Sequence, residues 1–111
     1  MHKALPRPLT DAEKAVVDCM IRAAGEPLSA PSQVVAACEC GCATVDFIDD
    51  TSGAHVARDA IGRTPAGIEV GALLWAKNGI TAGLEIYMFG TDTADLPVPE
   101  TLQFEPFAPA S

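Results

Sequence analysis

Ile68-Glu-Val-Gly-Ala-Leu-Leu-Trp-Ala-Lys-Asn-Gly-Ile-Thr-Ala-Gly-Leu-Glu-Ile-Tyr-Met-Phe89 is the stretch on which the fold turns. Ile68, Val70, Ala72, Leu74 and Ala76 alternate with Glu69, Gly71, Leu73, Trp75 and Lys77. Ile80, Ala82, Leu84, Ile86 and Met88 alternate in the same way with Thr81, Gly83, Glu85, Tyr87 and Phe89. A period of two puts each set on one side of a pleated strand, so two adjacent strands each present an aliphatic face to a core. Asn78-Gly79 offers a two-residue type I′ turn. Pairing Lys77 with Ile80, however, sets the apolar parity of one strand beside the polar parity of the other. A three-residue loop, Lys77–Gly79 with Gly79 left-handed, keeps the parities together. It predicts Leu74 opposite Ala82, Ala72 opposite Leu84 and Val70 opposite Ile86.

In this register Leu73, Trp75, Tyr87 and Phe89 point away from the core, in company with Glu69 and Glu85. A patch of that size calls for a cover. The tail residues Leu96, Val98, Leu102, Phe104 and Phe107 are spaced to drape over a sheet. A homodimer, or a partner held by the Trp and Tyr anchors, is the other expectation for this surface.

Toward the N-terminus, Asp49–Gly67 is dense in breakers (Asp-Asp, Ser-Gly, Gly62 and Thr-Pro-Ala-Gly) and reads as a long loop or irregular crossing. Before it, Val34, Ala36, Cys38 and Cys40 share one parity and Ala43, Val45 and Phe47 the other. Two strands, about 33–40 and 43–48, hinged at Cys40-Gly41-Cys42, account for the switch. Thr10-Asp-Ala-Glu13 is a capping box. The stripe of Ala12, Ala15, Val16, Cys19, Met20 and Ala23 then predicts a helix over 10–24, stopped by Gly25 and Pro27. Residues 1–9 read as a Pro-fixed extended arm and 91–111 as a covering segment. The expected fold is therefore α+β in a single domain: one N-terminal helix packed on a four-stranded, mainly antiparallel sheet of two hairpins spanning 33–90.

The chain has 111 residues, a net charge of −8 and a pI near 4.4. Such a surface repels phosphate backbones and anionic lipid, so nucleic-acid and membrane partners are not expected and a basic protein is. No apolar run approaches the ~20 residues that span a bilayer. Pro6 and Pro8 interrupt the N-terminal stretch before a signal-type apolar region forms. A cytoplasmic location with reduced thiols is the expectation.

The elements Cys40-Gly-Cys-Ala-Thr-Val-Asp46, Gly83-Leu-Glu-Ile-Tyr87 and Leu96-Pro-Val-Pro-Glu100 together resemble small uncharacterised bacterial proteins of actinobacterial type. These carry a C-G-C-x-S/T-V-D element, an L-E-V/I-Y strand and an L-P-x-P-E tail. The similarity covers roughly residues 9–100, a single-domain span. It implies a shared fold and a shared cysteine turn, and transfers no catalytic residue. Ala43 and Thr44 stand where those relatives carry Pro and Ser.

Cys38, Cys40 and Cys42 are the sharpest chemical feature. C-x-C spacing is less suited to zinc than C-x2-C, but a turn at Gly41 could bring Cys40 and Cys42 together, with Cys38 or His55 completing a zinc set. A redox or disulfide role is another reading, and the preferred one makes Cys38 a small core residue and the other two free or transiently oxidised thiols near a turn. No cofactor is expected unless the cluster holds zinc. His55 has no nucleophile at motif spacing, so no catalytic residue is assigned. Asp46, Asp49 and Asp50 match no calcium-loop spacing, and the glycines of 62–67 lack the Lys-Ser/Thr of a phosphate loop. The function these features suggest is a non-enzymatic binding or regulatory module, immunity-like in size and charge, with a metal or thiol module centred on Cys38, Cys40 and Cys42 as the alternative.

Overall fold

The computed structural model describes residues 5–38, 42–88 and 94–104. Helix α1 spans Asp11–Ala23. The capping box forms as expected: Glu13 N–H donates to Thr10 Oγ1 at 3.1 Å and Thr10 N–H to Glu13 Oε1 at 2.8 Å. Gly25 follows at φ +75°, the left-handed backbone that ends a helix. The buried face is rotated from the expected stripe. Val16, Val17 and Met20 are fully buried, Cys19 is half-buried, and Ala12 and Ala15 are exposed.

The sheet departs from expectation in number and order. Six strands, β1 Ala36–Ala37, β2 Val45–Asp46, β3 His55–Arg63, β4 Glu69–Lys77, β5 Ile80–Met88 and β6 Gln103–Phe104, form one antiparallel sheet in the order β1-β2-β5-β4-β3-β6. The four-stranded sheet of two hairpins is thus replaced. The added strands are β3, from the stretch read as a loop, and β6, from the tail. β3 hid because its alternation breaks at a bulge between Val56 and Arg58, and because Arg58 occupies a core-side position with its guanidinium carbon 5.1 Å from the centre of the Phe104 ring. Its flanking turns were legible. Thr64 N–H donates to Ile68 O, Gly67 N–H donates to Thr64 O, and Gly67 sits at φ +82°.

The β4–β5 register also differs. Asn78 and Gly79 both have positive φ, +53° and +78°, which is the two-residue I′ turn. Lys77 pairs with Ile80 and Ala76 with Thr81. A bulge at Ala82 then restores parity, so that Trp75 faces Gly83, Leu74 faces Leu84, Ala72 faces Ile86 and Val70 faces Met88. Turn chemistry set the loop, and the extra residue carried by the bulge reconciled it with the core.

One face of the sheet carries the core. Val16, Val17 and Met20 of α1 join Val34, Val45, Phe47, Ala60, Val70, Ala72, Leu74, Leu84, Ile86 and Ala94. The described part of the arm is tied down: Arg7 and Val34 exchange backbone hydrogen bonds of 3.0 and 2.7 Å. The tail also lies on the helix side. Leu96, Leu102 and Phe104 pack on the core, and Gly62 has no room for a side chain because a Cβ there would stand 2.9 Å from Pro97 Cβ. Residues 94–104 therefore cover the helix-side face and extend the sheet edge, and do not lie over Trp75. Phe107 is outside the described residues.

Candidate functional site

Alternation sends the odd-numbered residues of β4 to the face opposite α1. Leu73 and Trp75 lie there half-buried, as does Tyr87 of β5. The Tyr87 ring rests directly on Gly71, its cross-strand partner, and occupies the space a Cβ would need. β3 adds Val56 opposite Trp75, Asp59 opposite Leu73 and Ile61 opposite Gly71. Val56 is 42% exposed. The expected grouping of Leu73, Trp75 and Tyr87 on one face is present, and Phe89 is outside the described residues.

Carboxylates frame this surface. Glu69, Glu85, Asp59 and Asp46 sit on it, with Lys77 and Arg63 at its margins by the same register. Trp75 Nε1 donates to Glu85 Oε1 at 3.2 Å, which fixes the indole and one carboxylate together. Asp59 Oδ1 is buried without a hydrogen-bond partner. At one end the loop after β2 closes in, and Asp46, Thr51, Ala54, Trp75, Gly83 and Glu85 line an open-sided cavity of about 320 Å³. Burial pushes the Asp46 carboxyl above its ordinary value. The loop is held in place: Lys77 Nζ donates to Asp50 O at 3.0 Å, and Asp50 Oδ1 accepts from Ser52 N–H at 3.0 Å and from Ser52 Oγ at 2.6 Å. The Ser52 contacts, then Lys77, keep the Asp50 carboxyl below its ordinary value.

The cysteine set is dispersed. Cys38 is disulfide-bonded, which corrects the expectation of reduced thiols at that position. Its N–H donates to Thr44 O at 3.1 Å, closing the β1–β2 hairpin. Cys42 packs against the core, Cys19 is a free half-buried thiol on α1, and Cys40 is outside the described residues. His55 opens β3, separated from β1 by β2, β5 and β4; at the usual strand spacing that is roughly 15–20 Å. It meets Glu26 instead, Nε2 to Oε1 at 3.1 Å. Among the described residues no three of His, Cys, Asp or Glu gather to hold a metal ion. With Cys38 in a disulfide and His55 at that distance, neither completes a zinc set with Cys42 among the described residues. Among the described residues, too, no helix is long and apolar enough to cross a membrane.

Sequence reasoning grouped Asp46 with Asp49 and Asp50, whereas the fold groups it with Glu85 across Gly83. A glycine at the outward parity between Trp75 and an acidic strand was the available signal. Neither a family model, nor a curated protein, nor a solved structure matches this chain, so the site is read from its own geometry.

Proposed function

We propose that the sheet face opposite α1 is a docking surface for a basic protein, and that the chain is a non-enzymatic binding or regulatory module. The observation that carries this reading is the composition of that face. Val56, Ile61, Leu73, Trp75 and Tyr87 run across three neighbouring strands, framed by Asp46, Asp59, Glu69 and Glu85, and the described loop after β2 meets them at the Trp75 end. Aromatic anchors supply contact area, and the carboxylates select a partner of opposite charge and speed its approach. The chain's net charge of −8 acts in the same direction. An inhibitor of a basic protein, in the immunity-like manner, is the regulatory role that fits this size and charge.

Nona-arginine serves as a basic probe. Neutralising Asp46, Asp59, Glu69 and Glu85 to their amides should weaken its binding at least tenfold. The same change at Asp18, Glu26, Asp95 and Glu100, on the helix side, shifts net charge equally and should cost much less. Equal losses from the two sets would reject the docking face. A native chain that elutes as a dimer and dissociates on Trp75→Ala would assign the face to a second copy instead.

The Cys38 disulfide favours one alternative, a thiol-exchange module. Equilibration in glutathione buffers decides it. A potential within the cytosolic glutathione range supports exchange, and one below about −300 mV marks a structural bond.

A further inference from the structure

The cavity on this face depends on Gly83. A Cβ at that position would stand 3.1 Å from Asp46 Oδ1 and 3.3 Å from Val45 O, tighter than ordinary contact, so a side chain there would crowd Asp46 and take up space between Asp46 on β2 and Trp75 on β4. At about 320 Å³ the cavity lies at the small end of ligand sites. It fits one long side chain or a molecule of that size.

Its polar inventory is one-sided. The indole N–H is already given to Glu85 Oε1, and no described residue donates to Glu85 Oε2 or to either Asp46 oxygen. Nearby cations are engaged elsewhere: Lys77 Nζ binds Asp50, Arg63 Nη1 donates to Gly67 O at 3.3 Å, and Arg58 lies over Phe104 on the opposite face. The cavity thus offers carboxylate acceptors and an aromatic wall, with the Thr51 hydroxyl as its one side-chain donor not already committed. A guest must bring positive charge and several N–H donors. A guanidinium supplies five donors in a planar fork, suits carboxylates, and lies against aromatic rings at a lower desolvation cost than an ammonium.

We propose that this cavity seats the guanidinium of one arginine side chain of the basic partner, bridging Asp46 and Glu85 beside Trp75. The assignment rests on the docking reading above. A free guanidino compound shares the chemistry and is the other source.

Trp75 is the single tryptophan of the chain, so its emission reports the site alone. N-acetyl-arginine amide should change that emission saturably at constant ionic strength, and the neutral isostere N-acetyl-citrulline amide should not. Asp46→Asn and Glu85→Gln should each weaken the arginine amide at least tenfold, as should Gly83→Ala by filling the space. Asp18→Asn on α1 should change it less than twofold, with circular dichroism verifying the fold of every variant. Equal responses to the two amides, or equal effects of Asp46→Asn and Asp18→Asn, would overturn the cavity assignment. If nona-arginine still requires the four outer-face carboxylates in that event, the docking face stands without it. If nona-arginine binds no tighter than arginine amide, the cavity belongs to a free guanidino compound and the side-chain source is rejected.

Discussion

Glu13 unites the three constraints on the N-terminus in one side chain. It closes the capping box, is only 5% exposed, and accepts from both terminal nitrogens of the Arg7 guanidinium, Nη1 and Nη2, at 2.8 Å. Burial alone would raise its carboxyl, but the Arg7 fork and the Thr10 N–H and hydroxyl outweigh burial and hold it below the ordinary 4.5. A carboxyl lowered on folding stabilises the fold above its unfolded value and ceases to do so as pH falls through the folded one. Glu13→Gln should therefore cost roughly 2–3 kcal/mol at pH 7, about 10–20 °C in melting temperature. The gap to the native chain should close as thermal melts are taken from pH 6 down to pH 3. A gap that stays constant over that range would refute the role assigned to the pair. The box was legible because it is local in sequence. The Arg7 contact was not, since it needs the arm to be held first by Val34.

At the scale of elements, turn and register obey different rules and the bulge satisfies both. Asn78-Gly79 demands a two-residue turn, and the core demands that Leu84 and Ile86 face α1. Ala82 is the extra residue that permits the two together. Deleting it should send Leu84 and Ile86 to the outer face or tear the turn apart. Loss of the cooperative thermal transition is expected; a deletion variant with native-like melting would contradict this account of the hairpin. Gly79→Ala should be milder, about 1 kcal/mol in denaturant melts, because only the left-handed backbone is strained and no described atom closer than 4.0 Å meets the new methyl. β3 teaches the complementary lesson. A strand whose pattern is broken by a bulge and whose core-side position holds an arginine laid on a ring does not advertise itself by alternation.

For the whole molecule, the decisive event is the side on which the tail lands. Phe104 pairs with Ala60 at the sheet edge, and Leu96 and Leu102 complete the helix-side core. Removing residues 94–111 should therefore lower the melting temperature substantially, since several half-buried apolar side chains are lost at about 25 cal/mol per Å² of buried apolar area. At a temperature where the shortened chain remains folded, Trp75 emission should match the native chain. A red shift there would mean that the tail covers the outer face after all. The same placement leaves Leu73, Trp75 and Tyr87 on a face with its own acidic frame, the property on which the docking reading depends.

The sequence by itself determined what is local or periodic: the capped helix, the two long alternating strands, the glycine turns, and the outward parity of Leu73, Trp75 and Tyr87. These follow from backbone geometry and from side-chain period, which neighbouring residues specify without knowing the rest of the chain. Only the tertiary structure decided the six-stranded order, the landing side of the tail, the distance between His55 and Cys38, and the meeting of Asp46 with Glu85 across Gly83. Each of these joins residues far apart in the chain, and which of them meet depends on how the whole sheet closes its core.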